Sequence, residues 1–230
     1  MKGSIVAAKL IWVTPDADQL IGYMARVSNP EAKPNDSVEK LINYLIAHKH
    51  WSPFEMACAC VEINTTRDIA RQILRHRSFH FQEFSQRYAE VNDNPIYREA
   101  RLQDHTNRQN SLKLSDELSL DDEDSVNYMW KRFQNVTWDN AVNNYKNALE
   151  LGLAKEVARA LLPEGLTPTK MYMQGTIRDW IHYLAIRTGP ETQLEHRDIA
   201  REIGVVLRYS VPLVFQAAQQ AGLIGSFEDG

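Results

Sequence analysis

One short apolar run, MACACVEI at Met56–Ile63, limits the fold class of this chain more than any other feature. It is too short for a buried helix of ordinary length and it ends in β-branched residues, so it predicts a buried strand. The runs AAKLIWVT at 7–14 and TPTKMYMQG at 167–175 predict two further strands. A chain that sets such strands among helices is expected to have an α+β fold.

Helical periodicity, with apolar residues recurring every three or four positions, covers most of the remaining chain. The predicted helices span residues 16–28, 35–50, 65–77, 123–151, 153–163, 176–189, 190–209 and 211–222. Asp36 or Ser37 is expected to cap the second helix, and Gly152 is expected to follow the end of the long fourth helix. Helices are therefore expected to dominate the fold.

Two segments do not fit either period. Residues 78–88, SFHFQEFSQRY, predict an irregular and extended loop. Residues 92–125 are polar and include the acidic run DDED, so we expect a lid or insertion there. This insertion would belong to a single domain that spans residues 1–230.

Composition argues against several classes of protein. The formal net charge is −4 and the pI is near 6.0, whereas a general binder of nucleic-acid polymers or of membrane surfaces needs a net basic face. No stretch approaches the ~20 apolar residues of a membrane span. Lys9 interrupts the first apolar segment, which predicts a first strand and not a secretory signal.

The two cysteines, Cys58 and Cys60, lie on one face of the predicted strand. A zinc site would need two more ligands at suitable spacing, and a nucleophilic thiol would need a neighbouring base or cation. We therefore predict that both cysteines pack in the core and that the chain binds no metal. Two cysteines make no disulfide framework, which is typical of a protein in the reducing cytoplasm.

Cationic residues gather in the stretch RQILRHRSFHFQEFSQRY at 71–88, although the chain as a whole is acidic. If the backbone is extended beyond Arg77, alternate side chains point the same way; these are Arg77, Glu83, Ser85 and Arg87. Guanidinium and hydroxyl groups on one side suit a phosphate. The alternative is a structural charge network, because the helix dipole favours cations near a helix C-terminus. The residue types alone leave both interpretations open.

The same stretch carries a longer pattern. RHRSFHFQEFS is Arg-His-Arg followed by seven residues and Ser, and Gln-Arg-Tyr comes next. This resembles the signature of the flavin-dependent thymidylate synthases, RHR-x7-S with Arg and Tyr just beyond. Further similar segments are ARVS at 25–28, HWSPFE at 50–55, ARQ at 70–72, RALLP at 159–163 and IRDWIHYLAIR at 177–187.

The resemblance implies a single α/β domain, with a mixed or antiparallel sheet flanked by helices, that forms a homotetramer and binds FAD where subunits meet. It implies conversion of dUMP to dTMP, with methylenetetrahydrofolate as carbon donor and NADPH as the reductant of the flavin. The family does not rely on a cysteine nucleophile, which agrees with the packing role predicted for both cysteines.

The resemblance also implies roles for individual residues. Those matched to the flavin site are Ser28, Ser52, Glu55, Arg75, His76, Arg77, Glu83, Arg178 and His182. Those matched to the dUMP site are Gln72, Ser85, Gln86, Arg87, Arg159 and Arg187. Arg187, Ser85 and His76 are matched to catalysis. Arg87 and Arg159 would neutralise the 5′-phosphate, and Arg187 would hydrogen-bond the uracil carbonyl region.

The chain departs from the family pattern at His80, Gln82, Gln86 and Glu191, where Ser, Asn, Gly and His are common. Two other interpretations of the cationic stretch compete with the enzyme. One is a noncatalytic nucleotide- or RNA-binding module that stacks bases on the aromatic residues; the acidic balance of the chain weighs against it. The other is a structural oligomer that is held by an Arg–Glu network.

Overall fold

The structure is a computed structural model that describes residues 7–28, 37–91 and 94–227. The strands are β1 Ala7–Val13, β2 Cys58–Thr66, β3 His80–Glu83, β4 Arg101–Gln103, β5 Ser111–Lys113 and β6 Pro168–Thr176. The helices are α1 Ala17–Ala25, α2 Val38–Ala47, α3 Arg67–Ile73, α4 Leu114–Glu117, α5 Leu120–Glu150, α6 Lys155–Ala158, α7 Ile177–Arg187, α8 Leu194–Ser210 and α9 Pro212–Gln220. Short 3₁₀ turns cover Arg26–Ser28, Ser52–Glu55 and Arg159–Leu161.

The chain divides into two compact units. The hairpin unit is formed by Asn64–Ile73 and Glu83–Lys170, apart from the undescribed residues 92–93. The sheet unit is formed by the described parts of Val6–Ile63, Leu74–Gln82 and Met171–Gly230. The expectation of one domain with a lid at 92–125 stays a prediction.

A four-stranded sheet with the order β1-β2-β6-β3 organises the sheet unit. Helix α7 follows β6 directly, and a capping box begins it: Thr176 Oγ1 accepts from the Asp179 backbone N–H, and the Asp179 carboxylate accepts from Thr176 N–H. The apolar stripe of α7 is buried as its spacing predicts, with Trp180, Ile181 and Leu184 fully enclosed. The predicted helices and strands of this unit are therefore largely confirmed.

Helix α9 is anchored in the sheet unit by a buried carboxylate. Asp18 of α1 is 8% exposed and accepts from the backbone N–H groups of Leu213 and Val214, at 3.0 and 3.1 Å. Those N–H groups lie in the first turn of α9, where a helix has no internal acceptors for them. The contact ties the two ends of the sheet unit's sequence together.

Gly175 of β6 permits a close approach of the Phe79 ring. A Cβ atom at this position would lie 2.5 Å from Phe79 Cδ1. Phe79 is 5% exposed and packs edge-on against Trp180 with the ring centroids 4.7 Å apart, so it has little room to move. The glycine is therefore a packing requirement of the sheet unit.

We expect Gly175→Ala to lower the free energy of unfolding by roughly 1–3 kcal/mol, because the added methyl group overpacks the core. Urea titration followed by circular dichroism measures this change. The matched control is Gly225→Ala, since a Cβ atom at Gly225 meets no atom within 4 Å. Equal stability of the two variants would contradict the prediction.

Helix α5 is the main element of the hairpin unit. Ser119 caps its start by accepting from the Asp122 N–H, and Gly152 follows its end with φ at 82°, as predicted for a C′ glycine. Its buried face packs in a cluster that comprises Val91, Trp138, Tyr145, Ala148, Ala158, Leu162 and Leu166. The antiparallel hairpin β4–β5 pairs Arg101 with Lys113. Residues 94–125 thus contain the strands β4 and β5, the short helix α4 and the start of α5.

The helix predicted over 65–77 is shorter than expected. Strand β2 continues through Thr66, and α3 ends at Ile73. The chain then turns, with the Phe79 N–H donating to the His76 carbonyl at 3.2 Å. Burial of Phe79 against Trp180 ends the helical path, because a continued helix would carry this ring away from the core.

The irregular loop predicted over 78–88 is also wrong in part. Residues 80–83 form β3 beside β6, and the Phe84 N–H continues this pairing by donating to the Lys170 carbonyl at 2.8 Å. Ser85 then begins a tight turn, since its carbonyl accepts from the N–H groups of Tyr88 and Ala89. An extended backbone was predicted to point alternate side chains from Arg77 to Arg87 the same way. This alternation ends at Ser85, where the turn begins.

Two other helix boundaries differ from prediction or lie outside the described residues. The helix predicted from Pro190 begins at Leu194, because Thr192 first closes a turn on α7: its N–H donates to the Gly189 carbonyl and its hydroxyl to the Ile186 carbonyl. Ser37 caps α2 by accepting from the Lys40 N–H. Asp36, the other predicted cap, lies outside the described residues.

Candidate functional site

Arg187 and His76 lie side by side in the sheet unit. Arg187 is the last residue of α7, and its Nε–H donates to His76 Nε2 at 2.8 Å. A guanidinium group can only donate hydrogen bonds, so His76 Nε2 must carry a lone pair and the ring proton must be on Nδ1. The contact fixes both the tautomer of His76 and the plane of the Arg187 guanidinium.

Aromatic side chains surround His76. The Tyr183 ring meets it edge-on with the centroids 4.9 Å apart, and the Tyr183 hydroxyl is hydrogen-bonded to His196 Nε2 at 3.0 Å. Burial, followed by the charge of Arg187, lowers the pKa of His76 to about 4. Burial lowers the pKa of His196 to about 3, with smaller effects of Arg187 and His76. Both histidines are therefore neutral at physiological pH.

Acidification is expected to destabilise the protein through these histidines. A histidine in the unfolded chain has a pKa near 6.5, so between pH 6.5 and the lower folded pKa values the unfolded state binds more protons. Stability therefore rises with pH across this window and falls as the pH drops through it. Urea titrations at pH 7 and pH 5 should show a smaller loss of stability for His196→Gln than for the wild type.

The control for this pH dependence is His80→Gln, because the His80 side chain is exposed. It should lose as much stability as the wild type between the two pH values. An equal loss in all three proteins would contradict a contribution from His196.

Two further contacts join residues matched to the flavin. The Arg178 guanidinium forms an ion pair with Glu55, and both side chains are partly exposed. The His182 ring meets Trp51 edge-on with the centroids 4.7 Å apart, and burial lowers the pKa of His182. These contacts link the 3₁₀ turn Ser52–Glu55 and its neighbour Trp51 to one side of α7.

The other flavin candidates of the sheet unit lie on its surface. Ser28 ends the 3₁₀ turn after α1, and Ser52 begins the next 3₁₀ turn. Arg75 and Arg77 follow α3 on either side of His76. All four are exposed, so two cations and two hydroxyl groups of the sheet unit are open to an anionic ligand.

The dUMP candidates Ser85, Gln86 and Arg87 lie in one turn of the hairpin unit. Arg87 is exposed, with its guanidinium 5.6 Å from the Tyr88 ring centroid. Gln86 is 3% exposed, and its Nε2 has no hydrogen-bond partner among the described residues. The side chain that replaces the family's glycine is thus directed into the protein, while the arginine beside it faces solvent.

The hairpin unit holds three more candidates. Gln72 is half-buried on α3, and Arg159 is half-buried at the start of a 3₁₀ turn, where its Nε–H donates to the Glu156 carbonyl at 3.3 Å. Glu83 accepts from Arg67 Nη1 at 3.3 Å and from the Thr169 hydroxyl at 3.0 Å. Protein groups therefore already bind one oxygen of the Glu83 carboxylate.

Comparison with known proteins decides the family. The family model for the thymidylate synthase complementing protein matches residues 9–213. A probable flavin-dependent thymidylate synthase of Paramecium bursaria Chlorella virus 1 is 48% identical over 220 residues, which cover 92% of this chain and 98% of that protein. The chain belongs to the flavin-dependent thymidylate synthase family. The predicted family and the prediction of an enzyme are confirmed.

Other members of the flavin-dependent thymidylate synthase family are similar over much of the chain. The protein of Synechocystis is 45% identical, with 87% of this chain and 88% of that protein covered. The protein of Thermus thermophilus is 35% identical, with 91% and 74% covered. The UMP/dUMP methylase PolB of Streptomyces cacaoi, solved with 5-Br dUMP, has a TM-score of 0.80 at 24% identity, covering 96% of this chain and 97% of its own. That structural similarity confirms the α+β fold.

The residues matched to the synthase signature are divided between the two units. All flavin candidates except Glu83 lie in the sheet unit, and all dUMP candidates except Arg187 lie in the hairpin unit. The structure brings together His76 with Arg187, and Glu55 with Arg178. The role of each residue in a flavin-dependent thymidylate synthase stays a prediction.

Contacts of these candidates that are absent from the sequence-based assignment include Tyr183 against His76 and Arg67 with Glu83, and His196 in turn contacts Tyr183. Tyr183 precedes Arg187 by four positions, so helical spacing alone could have indicated that both share a face of α7. His196 and Arg67 carry no comparable signal, because their partners Tyr183 and Glu83 lie on other secondary-structure elements, 13 and 16 positions away.

The remaining predictions concern thiols, metals and membranes. Cys60 is buried and Cys58 half-buried, and burial raises the pKa of both thiols, which disfavours a nucleophilic thiolate in this synthase-family chain. Within residues 7–28, 37–91 and 94–227, no three His, Cys, Asp or Glu side chains are grouped to hold a metal ion. None of the helices in these ranges has the length and hydropathy of a membrane span.

Proposed function

We propose that this chain methylates dUMP to dTMP, with methylenetetrahydrofolate as the carbon donor, FAD as the flavin and NADPH as its reductant. Membership of the flavin-dependent thymidylate synthase family supports this reaction. The observation that carries it in this chain is the 2.8 Å contact between Arg187 and His76. It joins a residue matched to the uracil site with a residue matched to the flavin site.

We expect Arg187 to bind the uracil ring with the ends of its guanidinium. The Nε–H is used by His76, and the other four donors lie in the same plane on the two terminal nitrogens. Negative charge develops on the uracil carbonyl as C5 becomes nucleophilic, and these donors would stabilise that charge. Neutral His76 holds the guanidinium plane without adding a second positive charge.

The phosphate of dUMP would be bound by Arg87 and Arg159. Arg87 is exposed and Arg159 half-buried, so both guanidinium groups can reach a ligand. Arginine forms paired, charge-assisted hydrogen bonds with phosphate oxygens. Ser85 would add a hydroxyl donor, so we assign it to binding.

The residues of the sheet unit suit FAD. Its diphosphate is anionic, and Arg75, Arg77 and Arg178 supply cations, while Ser28 and Ser52 supply hydroxyl groups. Glu55 would orient Arg178 through their ion pair. The residues named here would bind and orient the flavin, which when reduced would supply the hydride that completes the methyl group.

A homotetramer in the cytoplasm is part of the proposal. Exposed apolar residues on α5 support self-association, because large apolar patches on a surface commonly mark protein contacts. They include Tyr128, Met129, Trp130, Phe133 and Val136. Light scattering or analytical ultracentrifugation of the purified chain measures the assembly directly.

The visible absorption spectrum of the purified protein tests the function. A flavin spectrum that NADPH bleaches, with and without dUMP, and formation of dTMP when methylenetetrahydrofolate is supplied, are the expected results. A colourless protein that binds neither FAD nor dUMP would contradict the proposal. Salt-sensitive binding of single-stranded RNA without flavin uptake would instead support a noncatalytic binding module.

A further inference from the structure

Tyr183 and His196 form a buried polar pair next to the candidate site in the sheet unit. Tyr183 is 1% exposed and His196 0%, and the Tyr183 hydroxyl lies 3.0 Å from His196 Nε2. A buried hydroxyl and a buried ring nitrogen destabilise a fold unless each finds a partner. The hydrogen bond satisfies both atoms, and it fixes the outer end of the Tyr183 ring.

The Tyr183 ring packs against the His76 ring. The two rings meet edge-on, with an interplanar angle of 76° and a centroid distance of 4.9 Å. Tyr183 also lies four residues before Arg187 on α7, so both side chains are on one side of the helix and one turn apart. His76 therefore contacts Tyr183 through its ring and Arg187 through its Nε2.

Packing of the core alone would not require a hydrogen bond at positions 183 and 196. Phenylalanine at 183 and an aliphatic residue at 196 would fill similar volumes without burying any polar atom. The tyrosine–histidine pair adds a directional contact, and a fully satisfied buried network favours one arrangement of its side chains over others. In this protein, that arrangement includes the Tyr183 ring, which packs against the His76 ring.

We propose that Tyr183 and His196 are positioning residues, whose hydrogen bond holds the His76 ring so that its Nε2 accepts from Arg187 and the guanidinium is directed at the nucleotide base. The part that concerns the base rests on the proposed function. The part that concerns His76 does not, because it can be measured in the protein without any ligand.

The first test uses nitrogen-15 NMR of the histidine side chains in the ligand-free full chain. The wild type should show His76 as the neutral tautomer with the proton on Nδ1. In Tyr183→Phe and His196→Leu, His76 should show a mixture of tautomers, since its contact with Arg187 is loosened. His196→Gln, which can still hydrogen-bond Tyr183, should restore the wild-type signal.

The matched control is Leu184→Ala. Leu184 is also fully buried on α7, but it contributes no polar atom. This variant should lower the melting temperature and leave the His76 tautomer unchanged. If Tyr183→Phe and His196→Leu behave like Leu184→Ala, with lower stability and an unaltered His76 signal, then the pair only fills the core and the proposal is overturned.

The second test measures dUMP binding by calorimetry. Tyr183→Phe and His196→Leu should each weaken binding about tenfold, and the double variant should weaken it no further, because each single change breaks the same hydrogen bond. Additive losses would contradict a joint role. Failure of the wild type to bind dUMP would overturn the proposed function and the base-directed part, while the NMR result still decides the positioning of His76.

Discussion

Arg187→Lys is expected to lower kcat/KM for dUMP by about 100-fold, the usual effect of removing a donor that stabilises charge in a transition state. Lysine keeps the positive charge but has neither the Nε–H that His76 accepts nor the two coplanar terminal nitrogens. Its ammonium group is therefore not fixed in direction. Steady-state rates of dTMP formation over a range of dUMP concentrations measure the loss, and visible absorbance reports the flavin content.

The control for this substitution is Arg201→Lys. Arg201 lies on α8, is exposed, and forms a surface ion pair with Asp198 at 3.7 Å. Surface pairs of this kind contribute little, so this variant should stay within about twofold of the wild type. Retention of wild-type kcat/KM by Arg187→Lys, with flavin still bound, would show that the Arg187–His76 contact has no part in catalysis.

Arg67→Leu is expected to lower the free energy of unfolding by about 3 kcal/mol, because it leaves a largely buried carboxylate without its cation. The Arg67 and Glu83 side chains are 8% and 16% exposed, and their charged groups are 3.3 Å apart. The Thr169 hydroxyl would remain as a donor to Glu83, at 3.0 Å, but it carries no charge. Urea titration of the purified protein measures the change.

Helix α3 offers a control one turn further along. Arg71 pairs with Glu164 at the same distance of 3.3 Å, but these side chains are 53% and 54% exposed. Arg71→Leu should therefore cost about 1 kcal/mol or less. The two variants differ in burial and not in the length of the broken contact, so equal costs would refute burial as the cause.

A double variant separates two effects on stability: the loss of the Arg67–Glu83 ion pair, and the cost of leaving the Glu83 carboxylate buried without a cation. In Arg67→Leu/Glu83→Leu no unpaired carboxylate remains, and apolar replacements of buried ion pairs are often tolerated. We expect it to recover most of the stability lost in Arg67→Leu. If the double variant is no more stable than the single one, packing of the Arg67 side chain, and not its charge, stabilises this part of the hairpin unit.

The candidate site could be anticipated in its residue types but not in its contacts. The spaced pattern from Arg75 to Tyr88 identified the family, because it depends only on the order of residues. The contact of His76 with Arg187 joins residues 111 positions apart, and local periodicity carries no information on such a pair. The hydrogen bond of Tyr183 with His196 was missed for a related reason, since it connects two helices whose packing depends on the whole unit.

In the cationic stretch 71–88, too, part of the structure could be predicted from the sequence and part could not. Its first part is helical, as the spacing of Ile69, Ala70 and Ile73 predicts. The end of α3 at Ile73 and strand β3 were not predicted, because the Phe79 ring is buried by residues from α7 and β3 pairs with β6. The sequence around Phe79 and β3 does not indicate that α7 and β6 are their packing and pairing partners.

By itself, the sequence determined the α+β class, the strands β1, β2 and β6, the major helices, the glycine end of α5 and the family. Each of these depends on neighbouring residues or on a fixed spacing, so it can be read along the chain. Only the tertiary structure decided the tautomer of His76, the direction of Arg187, the inward side chain of Gln86 and the pairing of Glu83 with Arg67. These depend on burial and on hydrogen bonds between distant segments, whose free energies exist only once the segments have packed together.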